Sequence, residues 1–425
     1  MSNRTASVVR KIETAAHDVW EVISDTRCPE TWIPFLDSRR LSSDREEQPV
    51  ENGVLLYHPS SHAIACDNLI AFSVVRLAPD DRTIEFNLTS GFLQISVEVI
   101  VHEAAFGALL EVGSQPNVPP QYLSPAFKEM LQGVSKEIAD TVSVICRAKY
   151  PVSTGKVSPP PPPSFLSSRH PEMSVTGVER VAPTSELKDI MAAGCPVIFG
   201  HYGGSTSAYP LLQDLDWWND RFGDQTVRIQ EMEKAAYMPE NTYVSTTISM
   251  LVSMLASNPN GSRFALYETS VLEILGLGQY LPVPEMVPRE YPVKCHNIWI
   301  GAPHINSTLH QDGHIVDRTG KDPKKYHNLN FQIAGRKHFI LAHPNQTKHL
   351  YPMHRDMYND GAPTSQVDPF GPLDFGTFPE VKKAELFEGV LEPGEMLYVP
   401  RGWWHAFYSL ENTINSNTLF SSHDF

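Results

Sequence analysis

Five consecutive prolines, Pro159, Pro160, Pro161, Pro162 and Pro163, lie within a Ser- and Gly-bearing stretch at 152–174 and constrain the fold more than any other feature. A polyproline run is extended and solvated, with no internal hydrogen bonds, so no helix or sheet continues through it. The chain is therefore expected to form two domains, 1–151 and 175–425, separated by a Pro-rich linker at 152–174. Its length of 425 residues agrees, since single cores seldom grow that large. With 41% hydrophobic and 20% charged residues, both halves have the means to bury a core.

The balance of 34 Lys+Arg against 49 Asp+Glu gives a net charge of −15, which disfavours nucleic acid and anionic membranes as partners. The N-terminal residues offer no apolar stretch for a signal peptide, and no apolar run is long enough to span a bilayer. The five cysteines are widely spaced and form no CxxC pair. A soluble, cytoplasmic chain with reduced cysteines is the expectation.

In the first half, strands are expected at 7–13, 54–57, 70–77, 83–88, 92–102 and 108–112, with an early helix at 17–24. Thr83, Glu85 and Asn87 alternate with Ile84, Phe86 and Leu88, the period of a half-buried antiparallel sheet. Leu131, Val134, Ile138, Val142 and Ile145 then recur at steps of three or four, together with Phe127, and predict a long closing helix. This order of sheet and then packing helix is an α+β layer. With the opening VVRKIETAAHDVWEVISDTRCPETWIPF, it resembles the START-like polyketide cyclase/dehydrase superfamily of helix-grip folds. The resemblance implies a curved sheet around the helix, serving as a structural partner or enclosing an apolar cavity. It assigns no catalytic residue.

In the second half, short strands separated by Gly/Pro turns are expected at 196–199, 225–230, 296–301, 329–333, 338–342, 384–391 and 396–399, with a helix at 243–256. The pattern predicts an antiparallel barrel or jelly roll, mainly β with flanking helices. His310 and Asp312, two apart on one strand, face the same side. His405 from a distant strand would complete a two-His-one-carboxylate set. That set suits Fe(II), because it leaves the opposite metal positions open. His296, His304, His314, His327, His338, His343, His349 and His354 crowd the same region, but none falls within these motifs as a ligand. Trp403 and Trp404 are read as shaping the barrel, Glu392 and Glu395 as solvated loop charges, and 237–259, with Met250 and Met254, as lining the near side of the barrel.

Three linked blocks carry a second resemblance: 297–301 (NIWIG) running into 307–312 (STLHQD), 328–337 (NLNFQIAGRK), and 391–405 (LEPGEMLYVPRGWWH). Together they resemble the JmjC/cupin-like Fe(II)- and 2-oxoglutarate-dependent oxygenases of the asparaginyl-hydroxylase-like branch, over about 177 to the end. The resemblance implies a double-stranded β-helix with His310, Asp312 and His405 as catalytic iron ligands. Lys337 and Tyr267 would hold the distal carboxylate of 2-oxoglutarate, and Ser307 or Thr308 would add a hydroxyl. Asn328 and Asn417 would approach its metal-bound end.

Two departures stand out. The stretch 313–327 is longer than the family's connection and suggests a lid at the barrel mouth. The chain also ends without the branch's helical dimerisation element, so the oligomeric state is not implied. The chemistry implied is O2-dependent oxidation of an unactivated C–H bond, by hydroxylation, desaturation or cyclisation, with succinate and CO2 as co-products. No reader module or repeat supplies a protein partner, so the leading expectation is a small-molecule substrate, an amino acid or specialised metabolite. A protein or peptide hydroxylase, with histone demethylase as a variant, is the alternative, and a non-catalytic cupin binding module is a third.

Overall fold

A computed structural model describes residues 6–12, 15–24, 32–33, 36–40, 54–59, 70–90, 93–103, 108–118, 123–149, 164–205, 207–232, 242–257, 263–266, 269–313, 326–353 and 363–422. The proline run and most of the 313–327 stretch lie outside them. Compactness divides the chain into two units. The first comprises Met1–Ser158, Trp218–Ile229 and Thr242–Ser262; the second comprises Pro159–Trp217, Gln230–Asn241 and Arg263–Phe425.

The first unit contains β1 (Ala6–Ile12), α1 (Ala16–Ser24), β2 (Leu36–Arg40), β3 (Val54–Pro59), β4 (Ile70–Ala78), β5 (Thr83–Ser90), β6 (Leu93–Glu103), β7 (Ala108–Pro116) and α2 (Pro125–Lys149). Its strands form one antiparallel sheet in the order β1-β7-β6-β5-β4-β3-β2. Helix α2 packs on β1 and β7 through the expected stripe, with Leu131, Val134, Ile138, Val142 and Ile145 all buried. Each such aliphatic side chain contributes roughly 1.5–3 kcal/mol when fully removed from water. Arg10 on β1 donates to Asp140 on α2 at 2.6 Å, adding a polar tie at the edge. Beneath the sheet, Phe86 meets Trp32 edge-on at 5.6 Å and Phe72 at 5.2 Å.

The chain continues through α3 (Leu166–Arg169), β8 (Ser174–Gly177), β9 (Glu179–Val181), α4 (Leu187–Ala193), β10 (Val197–Phe199), α5 (Tyr209–Leu212), α6 (Leu215–Phe222), β11 (Thr226–Glu231), β12 (Thr242–Thr247) and α7 (Ile248–Ala256). The helix expected over 243–256 is therefore half strand. Val244, Thr246 and Thr247 favour extended backbone. The Thr247 hydroxyl then accepts the Met250 N–H at 3.2 Å, capping α7 and fixing where the helix begins. Both β12 and α7 pack against α2 of the first unit, with Met254 buried. Met254 and Met250 do not line the barrel chamber, contrary to the sequence expectation.

The remaining strands are β13 (Phe264–Leu266), β14 (Thr269–Ser270), β15 (Val293–Gly301), β16 (His310–Gln311), β17 (His327–Ala334), β18 (Lys337–Ala342), β19 (Glu385–Leu391), β20 (Met396–Val399), β21 (Trp404–Ser409) and β22 (Thr413–Phe420). In the second unit one sheet runs β13-β15-β22-β17-β20-β10-β9 and a smaller one runs β16-β21-β18-β19-β8. Leu397 and Val399 from the first of these pack with Phe339, Leu341 and Leu391 from the second, so the sheets enclose a common core. Outside the smaller sheet, Trp404, Ala406, Ile340 and Leu386 form a second apolar layer with Leu166 and Phe370. Within that layer Glu388 accepts from the Leu166 N–H at 2.5 Å and lies 2.7 Å from His338 Nε2. Glu395 departs from its expectation as a solvated charge. It is a bidentate partner of Arg180 at 2.8 and 3.3 Å, with a side chain only 12% exposed.

Candidate metal centre

The alternation of β-strands decides what faces the space between the two sheets. On β18, Lys337, Phe339 and Leu341 point inward, and on β21 His405 and Phe407 do. His310 on β16 lies directly across from His405, and the ring centroids are 4.3 Å apart. Asp312 follows β16 immediately, so its carboxylate reaches the same point. Its Oδ1 is 3.9 Å from His310 Nε2 and its Oδ2 is 3.3 Å from His405 Nε2. Among the described residues, this is the one group of three or more His, Cys, Asp or Glu whose ligand atoms converge, all within 4.8 Å.

The imidazoles are prepared as ligands by their other nitrogen. His310 Nδ1 lies 2.8 Å from the Thr308 carbonyl and His405 Nδ1 lies 3.2 Å from the Trp403 carbonyl. A carbonyl only accepts, so each Nδ1 carries the proton and each Nε2 offers its lone pair. Burial at 2% exposure pushes the His405 pKa down to about 4, against the opposing pull of Asp312. Two imidazoles and one carboxylate fit Fe(II) as a donor set.

Asp312 is itself held. Asn328 Nδ2 donates to Asp312 Oδ2 at 2.7 Å, and Asn330 Nδ2 donates to Asn328 Oδ1 at 2.9 Å. This relay fixes the Asn328 amide with its NH2 toward the carboxylate. Opposite, the Trp299 indole N–H donates to Asn417 Oδ1 at 2.7 Å, which leaves the Asn417 NH2 free for the site. Asn330, Asn417 and Asn297 stand in register across β17, β22 and β15.

These groups line a chamber of about 90 Å³ that also contains Ser307, Lys337, Asn415 and Gln230. Lys337 Nζ donates to Asn415 Oδ1 at 2.5 Å, and burial lowers its pKa to about 7. A buried ammonium held by one amide oxygen fits an incoming carboxylate. Ser307 Oγ accepts the Phe407 N–H at 3.0 Å. Thr308 is outside the lining; its hydroxyl is buried without a partner, and it serves through its carbonyl instead of the expected hydroxyl. Tyr267 lies outside the described residues.

A wider cleft of about 940 Å³ adjoins the chamber and shares His310, Asp312, Trp299 and Asn417 with it. Its walls are mixed, with Val271, Leu281, Pro282 and Leu419 beside Glu273, Lys294 and Asn297, and Cys295 lies among them with its thiol pKa raised by burial and by Asp312. The site thus has a small interior and a broader antechamber, joined at the candidate ligands.

A family model described as a cupin-like domain matches residues 183–424, more than half of the chain. The chain belongs to the cupin-like domain family. The chain is similar to Jumonji C domain-containing protein 5 of Drosophila melanogaster, 36% identical over 46% of this chain and 42% of that protein. It is also similar to Lysine-specific demethylase JMJ30 of Arabidopsis thaliana, 25% identical over 56% and 52%. A shorter match, to HSPB1-associated protein 1 homolog of Danio rerio, is 36% identical over 28% and 24%. The chain thus spans between about a quarter and about half of these relatives' lengths.

The sequence reading gave no role to four residues of this site: Trp299 and Asn330, which lie inside its motif blocks, and Asn415 and Gln230, which lie outside them. For the two asparagines a signal was present, because Asn328/Asn330 and Asn415/Asn417 each repeat at two-residue spacing and so share a strand face. Gln230 carried none; its strand looks amphipathic like any other.

Proposed function

We propose that the chain is an Fe(II)- and 2-oxoglutarate-dependent oxygenase. The observation that carries this is the juxtaposition of His310, Asp312 and His405 with the buried Lys337 ammonium around one small chamber. In this reading His310, Asp312 and His405 hold the metal, and Lys337, with Ser307, Asn328 and Asn417 nearby, receives the co-substrate. The metal with 2-oxoglutarate supplies O2 activation, with succinate and CO2 as co-products. The protein's own share is to orient the ligands, as Asn328 does for Asp312, and to keep water from the reacting face.

For the primary substrate we propose a small molecule with an apolar portion. The cleft volume is in the range of small-molecule sites, and exposed Leu272, Val283 and Val293 continue its apolar wall outward. A protein side chain is the second reading, favoured by relatives named as demethylases. The first unit we read as START-like, supported by its single antiparallel sheet closed by α2.

Anaerobic titration with Fe(II) and 2-oxoglutarate, then succinate release on adding O2 with pooled metabolites or peptides, tests the reading. His310→Ala is expected to lose metal binding, and Lys337→Ala to keep metal but lose most co-substrate affinity. Metal binding by His310→Ala equal to the parent's would refute the centre. Succinate release stimulated by peptides alone would overturn the small-molecule reading, and co-substrate binding with no turnover under any condition would leave a binding module.

A further inference from the structure

We infer that Gln230 is a further co-substrate-binding residue, its amide contacting the carboxylate that Lys337 also holds; this rests on the oxygenase reading. Gln230 is 1% exposed, lines the chamber, and its Oε1 has no hydrogen-bond partner. A buried amide oxygen without a partner weakens a fold, and native proteins keep few of them. One facing a binding chamber is accounted for if a ligand completes it.

Position identifies which end of the ligand it meets. The Met232 N–H donates to the Arg263 carbonyl at 2.6 Å, which sets the Gln230 strand beside β13. Met232 and Ala265 pack with Ile305, and the Ile305 carbonyl accepts the Ser409 N–H at 2.7 Å. Ser409 is the cross-strand neighbour of Lys337. Met232 is therefore tied to the Lys337 end of the chamber, and Gln230, two residues away on the same strand face, lines the chamber with it.

Volume limits the occupant. About 90 Å³ admits one small ligand and leaves no room for a primary substrate beside it. That ligand is anionic, since Lys337 is the chamber's cation and the amides around it supply donors. Oε1 and Nε2 of glutamine are nearly the same size, and a half-turn of the terminal torsion exchanges them. With a carboxylate present, Gln230 donates its NH2; without one, it leaves an unpaired polar atom in the chamber.

The test uses the full chain loaded with Mn(II) in the absence of O2, titrated by calorimetry with 2-oxoglutarate and, separately, with pyruvate, which lacks the distal carboxylate. Gln230→Leu is expected to raise the Kd for 2-oxoglutarate about tenfold, the value of one hydrogen bond to a charged group. Its affinities for pyruvate and Mn(II) should stay at the parent's values. The melting temperature of the ligand-free Gln230→Leu protein should equal or exceed the parent's, because an unpaired polar atom has been removed. Gln230→Glu, almost unchanged in shape, should weaken 2-oxoglutarate more than Gln230→Leu does, by repulsion. A Kd within twofold of the parent's in both variants would overturn the inference, as would equal losses for 2-oxoglutarate and pyruvate. If the parent itself fails to bind 2-oxoglutarate, or binds it independently of Lys337, it is the oxygenase reading that falls.

Discussion

Both histidines of the centre are oriented by the carbonyl two residues before them, Thr308 for His310 and Trp403 for His405, so ligand geometry is written into the backbone of each strand. Lys337 makes the opposite arrangement, a charge that the fold leaves incompletely compensated. Its ordinary pKa of 10.5 falls to about 7 on burial, so between these values the folded state binds fewer protons than the unfolded one. Its contribution to stability therefore improves as pH rises from about 7 toward 10.5, and the full cost of the buried charge is present below about 7. A bound carboxylate favours the ammonium and reverses that preference. Affinity for 2-oxoglutarate is thus expected to be greatest below about pH 7 and to fall above it by up to about tenfold per unit. Binding isotherms between about pH 6 and 9 check this; a flat profile, or the same slope in Lys337→Met, contradicts it. That His310, Asp312, His405 and Lys337 meet at one chamber was legible in the sequence from the three motif blocks that contain them. Thr308 misled because its residue type suggested a hydroxyl, whereas the site uses its main chain.

Among the elements, consecutive strands β17 and β18, one in each sheet, deliver Asn328 and Lys337 to the chamber, and one glycine turns the chain from the larger sheet to the smaller. Gly335 has φ +66°, and a Cβ there would lie 2.0 Å from the Asn412 carbonyl oxygen. Gly335→Ala combines a strained backbone with a main-chain clash and is expected to cost about 1–3 kcal/mol, read as a lower melting temperature. Co-substrate affinity should fall with it, because Lys337 begins the next strand; an unchanged melting temperature would show that the turn relaxes freely. Period-two alternation made β5 and β6 legible, whereas β18 showed as a short continuous apolar run, buried on both faces. Short β16 was reached only through its His310 ligand motif, and β12 was hidden because its threonines continue into the apolar run of α7. Local pattern gives no sign of the cap at Thr247 until the Met250 N–H is seen on its hydroxyl.

For the whole molecule, compactness and chain order differ. Trp218–Ile229 and Thr242–Ser262 belong with the first compact unit, although both follow the linker in sequence. A fragment starting at Pro159 would carry α7, with Leu251, Met254 and Leu255 deprived of α2. Such a fragment is expected to aggregate when produced alone, and co-production with 1–158 is expected to restore solubility, measured by size-exclusion chromatography. A well-behaved lone fragment would show that α7 needs no partner. Sequence alone could not reveal this arrangement, because a return to an earlier unit leaves no local mark on composition. The amide-lined chamber has its own bearing on the molecule at large. Where Phe339 and Leu341 fill one part of the interior, Asn328, Asn330, Asn415 and Lys337 leave another to be completed by a ligand. A dicarboxylate at a hundredfold excess over its Kd would add about 2.7 kcal/mol to the folded state. On the proposed oxygenase reading, dicarboxylate supply would thereby set how long each folded copy lasts against proteolysis.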